Sequence, residues 1–331
     1  MVGAGFFARF QAEAWKRIER VEIVAVADPL PGRAAAFAAD YGIPRSYTDA
    51  ATMLKRENAD FADIVTRPES HLDLTGLAAQ YCPAVICQKP MAPTWTECQA
   101  MVECCARRGV RLLIHENWRW QPWYREAKRL MSQDRLGRVF HFGFRMRTGD
   151  GRGPTPYLQQ PYFREMPRLL LYETAVHFLD TFRFLGGELE SIFCQTNRIN
   201  PAIQGEDYAL VDVSFASGAR GMIDANRISG ASPPEVAFGE FRIEGEHGMI
   251  RIAADGSMFF TDYEKSEILL PLKSPAQGYK GDSVKAVQEH FAGCLLSGEA
   301  SESEGAEYLK TVIAVDACYR SAQTGMPVKI A

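Results

Sequence analysis

Two clusters in this 331-residue chain have residue types and spacing suited to moving protons. The first is Gln88-Lys89-Pro90, which follows the apolar run Ala84–Cys87. A lysine in such a loop can donate to a hydroxyl and favour negative charge developing on its oxygen, whereas a lysine without a site is a solvated surface residue. The second is Glu173-Thr174-Ala175-Val176-His177-Phe178-Leu179-Asp180. On a helix, Glu173 and His177 share a face one turn apart, and Asp180 follows on the next turn. A buried carboxylate fixes a histidine tautomer and raises its basicity, so His177 is the candidate proton acceptor and Glu173 its orienting partner. The neighbours are Leu169, Leu170, Leu171, Val176, Phe178, Leu179 and Phe182, among which ionisable groups are costly unless paired or in use. A structural network in a core helix remains the plain alternative. Metal binding by Glu173, His177 and Asp180 needs a second set of ligands. His71 and His115 are better explained by a loop helix and a strand end, so no metal is expected.

The element that would position Lys89 opens at the start of the chain. Gly3-Ala4-Gly5-Phe6-Phe7-Ala8 has the spacing G-x-G-x-x-A, and a helical run leads from it to the apolar segment Val21–Ala27 and then Asp28. This is the layout of a dinucleotide site. Gly3 lets the turn tighten, Gly5 lets backbone approach a pyrophosphate, and the helix amino end offers free N–H groups to negative charge. Asp28 stands where a carboxylate accepts both ribose hydroxyls, which favours NAD over NADP because it repels a 2′-phosphate. Arg33 is read as a solvated helix residue. The alternative is a glycine-rich strand-to-helix turn of another α/β protein, with Asp28 as a helix cap. Only Met1 and Val2 precede Gly3, so the natural chain is expected to begin several residues earlier.

Apolar runs then alternate with helical segments. Strands are expected over 43–47, 61–66, 84–87 and 110–115, and helices over 6–18, 32–41, 49–56, 69–81 and 94–108. Ligands of such a sheet bind at the carboxyl ends of its strands. The loops after Val2 and Ala27, Thr66-Arg67-Pro68-Glu69, and Gln88-Lys89-Pro90 therefore matter, and a cis bond before Pro90 would fix the direction of the lysine. Beyond residue 120 the texture changes. Phe140, Phe142, Phe144 and Met146 alternate with polar residues, 148–161 is a Gly- and Pro-rich loop, and 169–185 reads as one apolar helix. Strand-like runs follow over 190–199, 208–215, 219–225, 238–243, 248–252, 259–260 and 268–272. Helices close the chain over 282–296 and 303–322, with Ser301 and Glu304 as a capping box for the second and 328–330 as an edge strand. The expected fold is α/β: a doubly wound parallel sheet of Rossmann type over residues 1–120. A second α+β domain over residues 121–331 holds a large, mostly antiparallel sheet for substrate binding and oligomerisation.

The composition narrows the partners. Net charge is −4, with no basic stripe, so nucleic acid is not expected. No run of eighteen apolar residues suggests a membrane span, and no signal sequence is evident. The eight cysteines (Cys82, Cys87, Cys98, Cys104, Cys105, Cys194, Cys294 and Cys318) lack metal-site spacing and read as buried thiols of a reducing, cytoplasmic compartment.

These motifs, in this order, resemble the glucose–fructose oxidoreductase, inositol dehydrogenase and rhizopine catabolism family of NAD(P)-dependent oxidoreductases. The likeness spans essentially the whole chain. The fingerprint is Gly3 to Ala8; the threonine-proline loop and histidine become Thr66-Arg67-Pro68-Glu69-Ser70-His71, with Arg67 inserted. The Glu-Lys-Pro motif becomes Gln88-Lys89-Pro90, and the Asp-x-x-x-His pair becomes Glu173 and His177. The resemblance implies an enzyme acting on CH–OH groups, with Lys89, Glu173 and His177 as its catalytic residues. Gly3, Gly5, Phe6, Phe7, Ala8 and Asp28 are the expected cofactor contacts of the first loops. Thr66, Arg67, Pro68, His71, Gln88 and Lys89 are those of the later ones. Gln88 lacks a charge beside Lys89, and Glu173 is one methylene longer than the family's aspartate.

The stretch His115-Glu116-Asn117-Trp118-Arg119-Trp120-Gln121-Pro122-Trp123 resembles the family's hinge and substrate edge. Tryptophan faces stack on sugar C–H faces, while Asn117, Arg119 and Gln121 read hydroxyls; the alternative is that the tryptophans seal a domain junction. Arg147, Asp150, Arg164 and Tyr172, with Arg145 and Tyr157, are further pocket candidates. The expected substrate is a polyol, aldose or sugar acid, and the wording of 88–93 and 115–121 is similar to members that oxidise apiose. Homodimers or homotetramers are implied. Other uses of such a chain are a hydrolase or isomerase that retains NAD through transient oxidation, and a non-catalytic NAD or sugar sensor.

Overall fold

Val2, Gly3 and Ala4 lead straight into helix α1 (Ala8–Trp15), whose alanines and Trp15 are buried against the parallel sheet beside it. The computed structural model describes residues 1–230, 237–272, 275 and 277–330. The chain folds into two compact units: Met1–Asn117 with Gln277–Val312, and Trp118–Ala276 with Ile313–Ala331.

In the first unit, β1 (Ala25–Ala27), α2 (Arg33–Tyr41), β2 (Arg45–Tyr47), α3 (Ala50–Arg56), β3 (Ala62–Ile64), α4 (His71–Ala78), β4 (Ala84–Gln88), α5 (Trp95–Ala106) and β5 (Arg111–His115) alternate. β1 pairs with β2, and β3, β4 and β5 pair in that order, all parallel. Val2 bridges Ala27 and Ile64, joining the two groups into one doubly wound sheet. The first strand is thus a single bridging residue. Of the apolar segment Val21–Ala27 only Ala25–Ala27 is strand, paired with Arg45–Tyr47 of β2 on one side and bridged by Val2 on the other. β4 is buried at every position, as a central parallel strand must be. A capping box between Thr94 and Glu97 starts α5.

The second unit opens with α6 (Pro122–Ser132), β6 (Val139–Arg147) and α7 (Val176–Gly186). β7 (Leu189–Asn197), β8 (Tyr208–Phe215), β9 (Arg220–Asn226), β10 (Gly239–Gly245), β11 (Gly248–Ile252), β12 (Met258–Asp262) and β13 (Glu267–Leu269) complete its main sheet. The order is β13-β12-β11-β10-β6-β9-β8-β7, antiparallel except for β6 beside β9. Phe142, Phe144 and Met146 bury one face of β6, and Phe178 of α7 stacks on Phe144 at 3.8 Å between ring centroids.

The linear division expected at residue 120 does not hold at the far end, because residues 277–312 return to the first unit. Helix α8 (Ser283–Ser297) packs there: Asp282 takes two hydrogen bonds from Arg17, Gln288 donates to the carbonyl of Gln11, and Phe291 meets His115 edge-on. Helix α9 (Gly305–Thr324) starts two residues later than expected. Ser301 N–H still donates to Glu304, whose carboxylate also accepts from Arg111, so half of the expected capping box forms ahead of the helix. β14 (Val328–Lys329) adds an edge strand to β7, as expected.

Candidate active site

The first unit supplies a cradle made largely of backbone. Gly3 has φ +101°, and a Cβ there would lie 2.4 Å from the carbonyl oxygen of Val65, so only glycine fits. A Cβ on Gly5, by contrast, meets nothing within 4 Å. The fold itself does not require glycine at that position, whereas a ligand pressed against the backbone does. Helix α1 has no side-chain cap at its amino end, which leaves first-turn N–H groups for an anion. Phe7 and Phe10 pack on Tyr279 at 5.3 and 4.8 Å, so the returning segment buttresses this turn.

Asp28 is buried, and its carboxylate ties the turn together by accepting from Ala4 N–H and Leu30 N–H, each at 3.0 Å. Each oxygen keeps acceptor capacity for a ribose hydroxyl. Arg33 stands 3.9 Å from it and is half exposed. The glycine turn, the open face at Gly5 and this carboxylate fit a dinucleotide.

His71 is bound differently from the expected cofactor contact. It has 0% exposure; Nδ1 lies 3.1 Å from the carbonyls of Pro90 and Met91, and Nε2 lies 3.2 Å from that of Thr66. It bolts the Thr66 loop to the Lys89 loop and has no surface left for a ligand, and burial holds its pKa below the usual histidine range. Thr66 shares a hydrogen bond with Ser70, and Arg67 and Pro68 lead into the short helical turn that carries it. Gln88 is buried with its side-chain oxygen accepting from Lys89 N–H at 2.7 Å, and the Lys89–Pro90 bond is cis. Lys89 is half-buried on the loop leaving β4. Asn117, expected among the substrate contacts, is buried and donates to Ser283 Oγ at 2.7 Å within the first unit.

In the second unit the expected single helix over 169–185 has two parts. Residues Leu170–Ala175 form a π-helix, and α7 takes over at Val176. The wider turn lies beneath Glu173, and Glu206 holds its start. That buried carboxylate accepts from Leu169 N–H and Leu171 N–H and from Tyr319 Oη at 2.6 Å. Such π-turns are frequent at functional sites.

His177 is buried, with its ring stacked on Trp118 at 4.9 Å. Phe238 covers Trp118 at 5.0 Å with an interplanar angle of 12°. Trp118 therefore offers no open face to a sugar and instead fixes the plane of the imidazole. Arg119 and Asp180 form a buried bidentate pair at 2.7 and 2.6 Å. The expected hydroxyl reader Arg119 thus has a buried carboxylate on its guanidinium. Trp120 lies beneath the guanidinium of Arg125 at 4.3 Å.

Arg145 and Arg147 alternate with the inward-facing Phe144 and Met146, so both lie on the face of β6 opposite α7. Arg147 is bonded to Asp224 there, at 2.5 Å. Arg164 donates from Nε to the carbonyl of Pro161, and Tyr172 is half-buried beside the guanidinium of Arg168. Asp150 and Glu173 converge on Arg227, at 2.5 and 3.7 Å. Sequence reasoning missed Arg227, Glu206 and Phe238; the one local hint is an arginine directly after the alternating strand β9.

Among the described residues, no group of three or more His, Cys, Asp or Glu is placed to hold a metal, and no helix is long and apolar enough to cross a membrane. Residues 1–116 match an oxidoreductase family with an NAD-binding Rossmann fold, and residues 124–251 match the GFO/IDH/MocA C-terminal domain. D-apiose dehydrogenase of Paraburkholderia graminis is 33% identical over 336 aligned positions, covering 100% of this chain and 88% of that protein. D-apiose dehydrogenase of Rhizobium rhizogenes is 33% identical over 339 positions, covering 100% and 96%. In structure, the chain is similar to an oxidoreductase from Agrobacterium radiobacter crystallised with NAD+, L-tartaric acid and magnesium. The TM-score is 0.91 at 31% identity, covering 99% of this chain and 96% of that one.

Proposed function

The chain belongs to the GFO/IDH/MocA family of NAD-binding oxidoreductases, and from that membership we propose that it is a dehydrogenase oxidising a hydroxyl of a sugar or polyol, with D-apiose the first substrate to test. The observation that carries this reading is the joint presence in one chain of the glycine cradle with Asp28 and a histidine locked beside a carboxylate-bearing π-turn. Gly3, Gly5, Asp28 and the amino end of α1 would hold the dinucleotide. When bound, it supplies the acceptor for a hydride leaving the substrate carbon.

The protein's own groups handle the proton. His177 takes the hydroxyl proton, its ring plane held by Trp118. Glu173 keeps a negative charge near that helix turn and favours the imidazolium that forms. Lys89 donates to the substrate oxygen and stabilises the alkoxide as it develops. Gln88, engaged with the Lys89 backbone, adds no negative charge beside the ammonium.

NAD is proposed over NADP because the Asp28 carboxylate repels a 2′-phosphate. The test is an NADH-formation screen over apiose, other aldoses, polyols and sugar acids, the last kept in view by the L-tartaric acid in the Agrobacterium relative. Oxidation of a sugar or polyol with NAD supports the reading. The absence of turnover across the screen, or a tenfold preference for NADP, overturns the corresponding part of it.

A further inference from the structure

We propose that Arg227 is a positioning residue for the proton-handling helix: it sets the carboxylate of Glu173 and fastens the Gly-rich loop around Asp150 to the same point. The proposal rests on the dehydrogenase reading for its kinetic consequences but not for its geometry.

Arg227 follows β9 immediately, and its backbone is held on both sides. Its N–H donates to the carbonyl of Asp207 at 2.9 Å, and its own carbonyl accepts from Gly151 N–H at 2.8 Å. The side chain is 5% exposed on the residue scale and lies against the rings of Tyr157 and Phe163, at 5.2 and 5.1 Å. One arm of the guanidinium donates to Asp150 at 2.5 Å. The other donates to Thr174 Oγ1 at 2.6 Å and stands 3.7 Å from Glu173 Oε2. Thr174 Oγ1 in turn donates to the same Glu173 oxygen at 3.1 Å. The chain of donors therefore runs from Arg227 through Thr174 to Glu173, and a direct charge contact runs parallel to it.

The loop is clamped from a second side as well. Asn200 donates its side-chain amide to the carbonyls of Gly151 and Gly153, at 2.6 and 2.8 Å, and Thr148 donates to Asp150 at 2.5 Å. Two carboxylates thus share one desolvated guanidinium. Without it, both lose that counter-charge. A planar fork suits this task because it makes two directed contacts at once, whereas a lysine ammonium supplies only a point charge.

The test compares Arg227→Gln and Arg227→Lys alone and combined with Glu173→Gln. If Arg227 acts through Glu173, Arg227→Gln lowers kcat at least tenfold while the NADH dissociation constant changes less than twofold. In the Glu173→Gln background the same substitution then costs less than twofold, and Arg227→Lys restores part of the loss. Losses that multiply independently, or a kcat within twofold of wild type, overturn the proposal.

If the wild-type protein turns over no sugar, the dehydrogenase reading fails and a crystal structure of Arg227→Gln decides this proposal alone. A Glu173 carboxylate moved off Thr174 with β8 and β9 in place supports it, and an unmoved carboxylate overturns it. Should Arg227→Gln not fold, Asp150→Asn and Arg227→Lys carry the same structural comparison.

Discussion

The glycine turn at Gly3–Ala8 and the helix carrying Glu173 and His177 are built on opposite principles. The turn is backbone: its shape follows from a positive φ at Gly3, an open face at Gly5 and a carboxylate that accepts two N–H groups. The helix is side chain: its geometry depends on Glu206 holding the π-turn, Arg227 holding Glu173, and Trp118 holding His177. Those three partners come from distant parts of the sequence. A backbone site tolerates little change at its glycines and much around them. A side-chain site distributes its dependence over residues that no local motif names.

The sharpest way to break this contrast is at the groups proposed to react. Lys89→Ala and His177→Ala are each expected to lower kcat about 10²–10⁴-fold, in the range of general acid–base catalysis, with the NADH dissociation constant little changed. Steady-state kinetics with NADH binding by fluorescence checks both. Wild-type turnover in Lys89→Ala protein would sink the assignment of the lysine.

At the turn the expected loss is one of folding. Gly3→Ala combines an unfavourable φ with a Cβ 2.4 Å from Val65 O, and should cost about 3 kcal/mol in urea unfolding. Gly5→Ala should leave stability within roughly 0.5–1 kcal/mol while weakening NADH binding, since its Cβ meets only open space. Equal stability losses at both glycines would erase the distinction between them.

A third test concerns the floor of the first unit. Burial pushes the His115 imidazole down from 6.5 to about 4. The unfolded chain therefore binds a proton that the folded chain refuses over that interval. The stability from keeping His115 neutral is intact above pH 6.5 and is lost as pH falls toward about 4, by about 3 kcal/mol. Urea unfolding from neutral to acid pH should show this slope, and His115→Gln should flatten it. The smallest expected effect is at Thr94. Its side chain accepts from Glu97 N–H, and Thr94→Ala should cost about 1 kcal/mol in the same assay without altering turnover.

Much of the fold was legible because alternation and apolar runs report burial directly. The parallel strands 84–88 and 111–115 and the hairpin of β8 and β9 follow from period and turn residues. The return of residues 277–312 to the first unit was not legible, because nothing local in α8 says which apolar surface it will cover. The π-turn was hidden for a related reason: Leu170–Ala175 has the composition of an α-helix, and the wider turn is held by Glu206, far away in sequence.

At the candidate site, residue type pointed to Glu173, His177, Lys89 and Asp28, but it could not say how polar groups would be shared. Arg119 looked like a hydroxyl reader and is paired with buried Asp180. His71 looked like a cofactor contact and is a bolt between two loops. Arg147 looked like a pocket wall and lies on the other face of β6. In each case the fold, and not the residue type, sets what the polar side chain meets.

The indole beneath His177 restricts how its ring can turn. A ring stacked at 4.9 Å on a side chain that is itself covered by Phe238 cannot turn over without loosening both contacts. The packing of Trp118 and Phe238 therefore sets which way the two ring nitrogens of His177 face.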